Sequence, residues 1–274
     1  MTGEARKRGR PRGRAAGSED SGGVRALDRA LDILDVIAGA SGLTLSEIAQ
    51  RLDLAPSTVH RVLVTLAVRG VAESDHATQT WHVGPTAFRH GSAFMRRSGL
   101  VERARPVLRR LMEVTGETAN LGILDGNAVL FLNQAETHET IRAFFPPGTR
   151  SPLHASGIGK ALLAHMRSFE LRQLMREMQL SRFTPMTLSE PQALLDDLAL
   201  IRARGYSLDN EERSLGMRCI AAPVFDLAGE AAAGISVSGP LSRMDDGRLE
   251  AMSESVIAAA RELSFGMVKR AEDR

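Results

Sequence analysis

The stretch GLTLSEIAQRLDLAPSTVHRVLVTLAVRG, from Gly42 to Gly70, decides how the rest of the chain is read. Thr44 and Glu47 have capping-box spacing and start a helix whose Leu45, Ile48, Ala49 and Leu52 fall on one side. Asp53-Leu54-Ala55 leaves almost no room for a loop. Pro56 then suits the first turn of a second helix, where its missing N–H costs little. That helix turns Val59, Val62, Leu63 and Leu66 inward and shows Ser57, Thr58, His60, Arg61 and Thr65 outside. Two short helices around a tight turn, the second small and polar at its exposed start, read as a helix-turn-helix.

Upstream, Leu27, Ala30, Leu31, Leu34, Ile37 and Ala38 follow helical spacing and predict a first amphipathic helix ending at the Gly39/Gly42 break. Downstream, VAESDHATQTWHVG reads as two short strands around a polar turn, a wing. Residues 24–84 therefore form a winged helix-turn-helix. With five basic and seven acidic residues this unit sums to −2, so bulk charge alone does not carry it to DNA.

The missing charge lies in front of it. RKRGRPRGR spans Arg6 to Arg14, and residues 1–14 hold six basic side chains and one acid. Residues 1–23 carry no apolar periodicity and read as a disordered arm. Within it, Arg8-Gly9-Arg10-Pro11, followed by Arg12, has the form of an AT-hook core. Glycine lets the backbone approach the groove floor, proline holds an extended path, and the arginines suit the narrow, negative minor groove of A·T-rich duplex.

The 274-residue chain has a net charge of +2 and a single cysteine, Cys219, which excludes an internal disulfide and a cysteine-cluster zinc site and fits a reducing cytoplasm. No secretory signal is visible, and no stretch approaches the roughly 20 apolar residues that span a bilayer. A cytoplasmic protein without a membrane role is expected.

From Pro85 to Thr115 the pattern is helical again and broken near Ser98-Gly99. Residues 85–102 read as a linker helix, and 103–274 as a second domain. There, TANLGILD and NAVLFLNQAE are adjacent strands about Asp125-Gly126. RCIAAPVFD and EAAAGISVSG form a hairpin across Leu227-Ala228-Gly229. Helices are predicted around Gly159–Met166, Phe169–Met178, Pro191–Ala203 and Asp245–Lys269, giving an α+β domain with an antiparallel sheet.

Two features of that domain point to a small anion. Ser156-Gly157-Ile158-Gly159 precedes a helix, whose free N–H groups attract carboxylates. Ser236 and Ser238 stand two apart on one strand and so face one side, where buried hydroxyls need partners. An aromatic content of 4% agrees with a small polar acid rather than an aromatic or lipid ligand.

The order of arm, LTLSEIAQRLDLAPSTVHRVLVTLAVRG, wing, HASGIGKALLA and RGYSLDNEERSLGMRCIAAPVFDLAGEAAAGISVSGPLSR resembles the IclR family of bacterial transcription regulators, and most nearly its glyoxylate-responsive repressor branch. The resemblance covers the chain from Val24 onward. It implies a GAF-like effector domain behind the linker helix, and homodimers or homotetramers on pseudo-palindromic double-stranded operators. Thr44, Ser57, Thr58, His60 and Arg61 would contact DNA, with Arg8, Arg10 and Arg12 in the flanking minor groove. The resemblance further implies a repressor controlled by a small 2-oxo acid, glyoxylate first and pyruvate second. Gly157 and Ile158 would offer N–H groups to that acid, with Asp209, Cys219, Ser236 and Ser238 on the polar side. Ala143, Leu153 and Met217 would form the apolar wall, where Ala143 is smaller, and Ser151 more polar, than the family pattern. No cofactor is implied.

The competing reading is a metabolic enzyme or a stand-alone acid-binding module. Against it, GIGK fails the phosphate-loop pattern, because position 154 is His and Lys160 is followed by Ala161. No G-x-S-x-G elbow surrounds the serines, and the seven histidines lack metal-ligand spacing.

Overall fold

The computed structural model describes residues 24–272; the arm, with Arg8, Arg10 and Arg12, lies outside the described residues. Two compact units divide between Arg96 and Arg97.

In the first unit, α1 (Arg25–Ala38), α2 (Leu45–Leu52) and α3 (Pro56–Val68) close on a core of Ile33, Ile37, Leu43, Ile48, Ala49, Val59, Leu63 and Ala72. The capping box is formed: Thr44 Oγ1 accepts the Glu47 N–H at 3.3 Å, and Glu47 Oε2 accepts the Thr44 N–H at 2.8 Å. Asp53 adopts φ 51°, and this left-handed residue ends α2 abruptly enough for Pro56 to open α3 after two more residues. The wing is β2 (Ala72–Asp75) against β3 (Thr80–Val83). A two-residue strand, β1 (Leu43–Thr44), also joins β3 through Leu43↔Trp81 and was not visible in the sequence. The apolar face of α1 needs correcting in part: Ile37 enters the core as expected, but Leu27 is 57% and Leu31 51% exposed, and Ile33 is buried beside Ile37. The helix α4 (Pro85–Ser98) follows the wing.

The second unit begins with α5 (Leu100–Thr115) and is built on a six-stranded antiparallel sheet. Its strands are β4 (Thr118–Asp125), β5 (Ala128–Ala135), β6 (Arg150–Pro152), β7 (Ser207–Asn210), β8 (Met217–Phe225) and β9 (Ala231–Pro240). The order is β6-β5-β4-β9-β8-β7, so the first and last hairpins meet at β4 and β9. The long α9 (Asp246–Glu272) packs with α5 and β8. The short α6 (Gly157–Ala164) follows a 3-10 turn, Leu153–Ala155, and packs on β8 and β9 with α8 (Pro191–Arg204) behind it. Between α6 and α8 in the chain lies α7 (Ser168–Glu177). Strands β6 and β7 escaped the sequence reading because strands of three and four residues leave no periodicity to detect.

The seat of α6 is set by glycines. Gly122 and Gly234 are register partners on β4 and β9; Ile158 occupies the space that a Gly234 side chain would need, while Val129 takes that of Gly122 and the tip of Ile158 borders it. A Cβ on Gly234 would stand 2.7 Å from Ile158 Cγ2. A Cβ on Gly157 would stand 2.7 Å from Cys219 Sγ, so only glycine lets the first turn of α6 lie this close to β8.

Candidate functional site

In the first unit, α3 presents Ser57, His60, Arg61 and Thr65 exposed, with Thr58 half-buried beside them. The opposite stripe, Val59 and Leu63, holds the helix to the core, so the polar stripe is rigidly displayed. Thr65 Oγ1 donates to the Arg61 carbonyl at 2.8 Å, which leaves the Arg61 side chain as the cation on this face. The Thr44 hydroxyl is spent locally, donating to Glu47 Oε2 at 2.8 Å, so its first task is to fix the start of α2. That network and the Thr44 N–H hold the Glu47 carboxyl below its ordinary range.

In the second unit, a cavity of about 260 Å³ opens at the first turn of α6. Two rows of register partners run beneath it, and of them Asp209, Cys219, Ser236 and Ser238 line the cavity. One runs Ser207, Ala221, Ser236, Asn120 and Gln134; the other runs Asp209, Cys219, Ser238 and Thr118. Antiparallel pairing thus brings side chains from five strands to one face, as the two-residue spacing of Ser236 and Ser238 required. The Asn120 amide donates to Ser236 Oγ and Ser238 Oγ, each at 3.4 Å, and takes a bond from Gln134 Nε2 at 3.1 Å.

At the helix end, Ser156 Oγ accepts the Gly159 N–H and the Ser156 carbonyl accepts the Lys160 N–H. The first-turn N–H groups of Gly157 and Ile158 have no acceptor within the helix, and that of Gly157 meets the Cys219 sulfur. Burial pushes the Cys219 thiol up to about 11, although Ser238, Ser236 and the Gly157 N–H oppose the shift. The thiol is a neutral, poorly nucleophilic wall group.

Eight of the nine expected ligand-site residues line this cavity: Gly157, Ile158, Asp209, Cys219, Ser236, Ser238, Met217 and Ala143. The exception is Leu153. It is fully buried in the core, and its backbone lies so close to Gly159 that a Cβ there would meet the Leu153 carbonyl. Its place in the apolar wall is taken by Phe131, Phe144 and Phe145, the first and last stacked with centroids 4.8 Å apart. Ser151 lines the cavity as well.

The sequence reading missed the charge beneath the floor. Lys160 is 1% exposed, and its ammonium donates to Asp197 Oδ2 at 2.7 Å, Glu212 Oε1 at 2.6 Å and the Leu208 carbonyl at 2.7 Å. The Glu212 N–H donates to Asp209 Oδ1 at 2.8 Å. Burial pushes the Asp209 carboxyl up to about 6 and the Glu212 carboxyl up to about 7, against the lowering influence of Lys160 on both. A lysine inside the otherwise apolar GIGKALLA was the available signal, since a buried ammonium requires partners.

Among the described residues no group of three or more His, Cys, Asp or Glu could hold a metal ion, and no helix is long and apolar enough to cross a membrane. Residues 92–265 match the family profile described as the bacterial transcriptional regulator IclR C-terminal domain, and residues 26–76 match the IclR helix-turn-helix domain. The HTH-type transcriptional regulator BhcR of Paracoccus denitrificans is 80% identical over 98% of both chains. The transcriptional repressor IclR of Escherichia coli is 39% identical over 94% of this chain and 95% of its own. An IclR homologue from Microbacterium hydrocarbonoxydans, solved in complex with 4-hydroxybenzoate, is 27% identical and superposes with a TM-score of 0.77 over 89% of this chain and 99% of its own. These relatives are regulators, which sets the enzyme reading aside: the chain belongs to the IclR family of DNA-binding transcriptional regulators.

Proposed function

We propose that this regulator is a repressor whose grip on a pseudo-palindromic operator is controlled by a small 2-oxo acid, glyoxylate first and pyruvate second. The observation that carries the reading is the cavity itself. The start of α6 at Gly157 and Ile158 and the Ser236 and Ser238 hydroxyls line this one cavity, where a carboxylate and a neighbouring carbonyl would sit.

On the DNA side, Ser57, Thr58, His60 and Arg61 read the major groove from α3, Thr44 approaches the backbone at the start of α2, and Arg8, Arg10 and Arg12 enter the flanking minor groove. The chain works as a homodimer or homotetramer, so that two recognition helices meet two half-sites. The acid regulates only if it prefers one spacing of those helices over another.

The test is a mobility shift on the gene's own upstream region with a panel of small acids. A change of operator affinity with glyoxylate, and a smaller one with pyruvate, is expected. A chain that ignores this DNA at low ionic strength, or binds it identically with every acid, overturns the reading.

A further inference from the structure

The cavity that is proposed to take an anion is floored by an excess of negative charge. One buried ammonium, Lys160, serves two carboxylates directly, Asp197 and Glu212, and a third, Asp209, hangs on the Glu212 N–H and lines the cavity. Asp209 is 8% exposed, and Glu212 Oε2 is buried with no hydrogen-bond partner among the described residues. A carboxylate oxygen without a donor, beside a second carboxylate, is where a proton is readily accommodated.

The surrounding charges offset this only in part. From α8, Arg204 lies 3.5 Å from Asp197 Oδ1. On β8, Arg218 is engaged by Asn210 and Asp246, and Cys219 is a neutral thiol. After β7, Glu211 accepts the Gly216 N–H, and Arg213, over the Phe183 ring at 4.0 Å, opposes the rise of the Asp209 carboxyl through its N–H and its charge, which burial outweighs. Across the cavity Arg142 is paired with Glu136 at 3.0 Å, and behind the floor His154 meets the Ser181 carbonyl, its pKa lowered by burial.

We propose that the anionic effector enters this cavity together with one proton, drawn from solvent and held by the Asp209–Glu212 carboxyl pair. This rests on the acid-binding reading above. Protonated Asp209 then faces the ligand as a hydrogen-bond donor, and the ligand's charge replaces the charge that the pair has lost. Both carboxyls already sit above their ordinary values, so the proton is taken up near neutrality. By linkage, affinity rises as pH falls: it is flat below the pair's titration range and weakens about tenfold for each pH unit above it.

The experiment is calorimetric titration of the full chain with glyoxylate, and with pyruvate in parallel, at pH 5.5 and pH 8, in buffers of different ionisation enthalpy. Uptake near one proton at pH 8 and near zero at pH 5.5 is expected, with affinity at least tenfold weaker at pH 8. Asp209→Asn and Glu212→Gln should each lower the uptake at pH 8 to less than half, with folding checked by thermal melting. Binding with equal affinity at both pH values and no uptake overturns the proton and leaves the acid site standing. Unchanged uptake in both variants overturns the assignment to this pair. No heat with either acid at any pH overturns both readings together.

Discussion

At the scale of single residues, the second unit turns on Lys160 and Gly157. Lys160 holds together groups that are 37, 48 and 52 positions away in sequence. The need for partners was legible in GIGKALLA, but their identity was not, because it depends on how β7 and α8 return to α6. Replacing Lys160 by Met should cost about 3–5 kcal/mol, since Glu212 is left buried without its cation while Asp197 keeps only Arg204. Chemical denaturation at pH 8 checks this, and the loss should shrink toward pH 5 as Glu212, already raised to about 7, takes a proton instead. A loss under 1 kcal/mol at pH 8 would show that the ammonium does not hold this cluster. Gly157 was legible as part of a helix start, whereas its contact with Cys219 Sγ is a fact of packing alone.

Among the elements, those with local signals were read well. The T-x-x-E box, Pro56 and the Asp125-Gly126 turn each place their chemistry within a few residues, and the helices and hairpins they mark are present. Elements that depend on distant pairing were not read: β1 exists because Leu43 meets Trp81, and β6 because Val129 meets Ser151. The face of α1 was misjudged in part. Of its expected residues Ile37 enters the core and Leu34 packs against it, whereas Leu27 and Leu31 stay exposed and Ile33, outside the expected set, is buried. Leu153 fell to the same limit, since a turn residue can point to a cavity or a core with no change in local pattern. Breaking the cap should show how far α2 governs its neighbour. Thr44→Ala is expected to cost about 1 kcal/mol of stability in thermal or denaturant unfolding. Operator affinity should fall with it, because α2 and α3 share one small core. Unaltered stability would mean that the box is ornamental.

For the whole molecule, the two units predict separable defects. Arg61→Ala should lower operator affinity at least tenfold in a mobility shift and leave acid affinity unchanged by calorimetry. Ser236→Ala combined with Ser238→Ala should do the reverse, although the Asn120 amide then loses both hydroxyl acceptors and some stability with them. Loss of DNA binding in the serine pair, with its melting intact, would contradict that separation. The keyed fit of Ile158 against Gly234, with its tip bordering Gly122, bears on how a bound acid could be felt at all. A side chain lodged in a notch across two neighbouring strands resists sliding, so the donor end of α6 behaves as an anvil rather than a lever. Whatever yields on occupancy is then the opposite wall, the irregular run 136–149 that carries Arg142, Ala143, Phe144 and Phe145. Exchanges along that run could retune how strongly the acid is reported while leaving its grip on the carboxylate as it was.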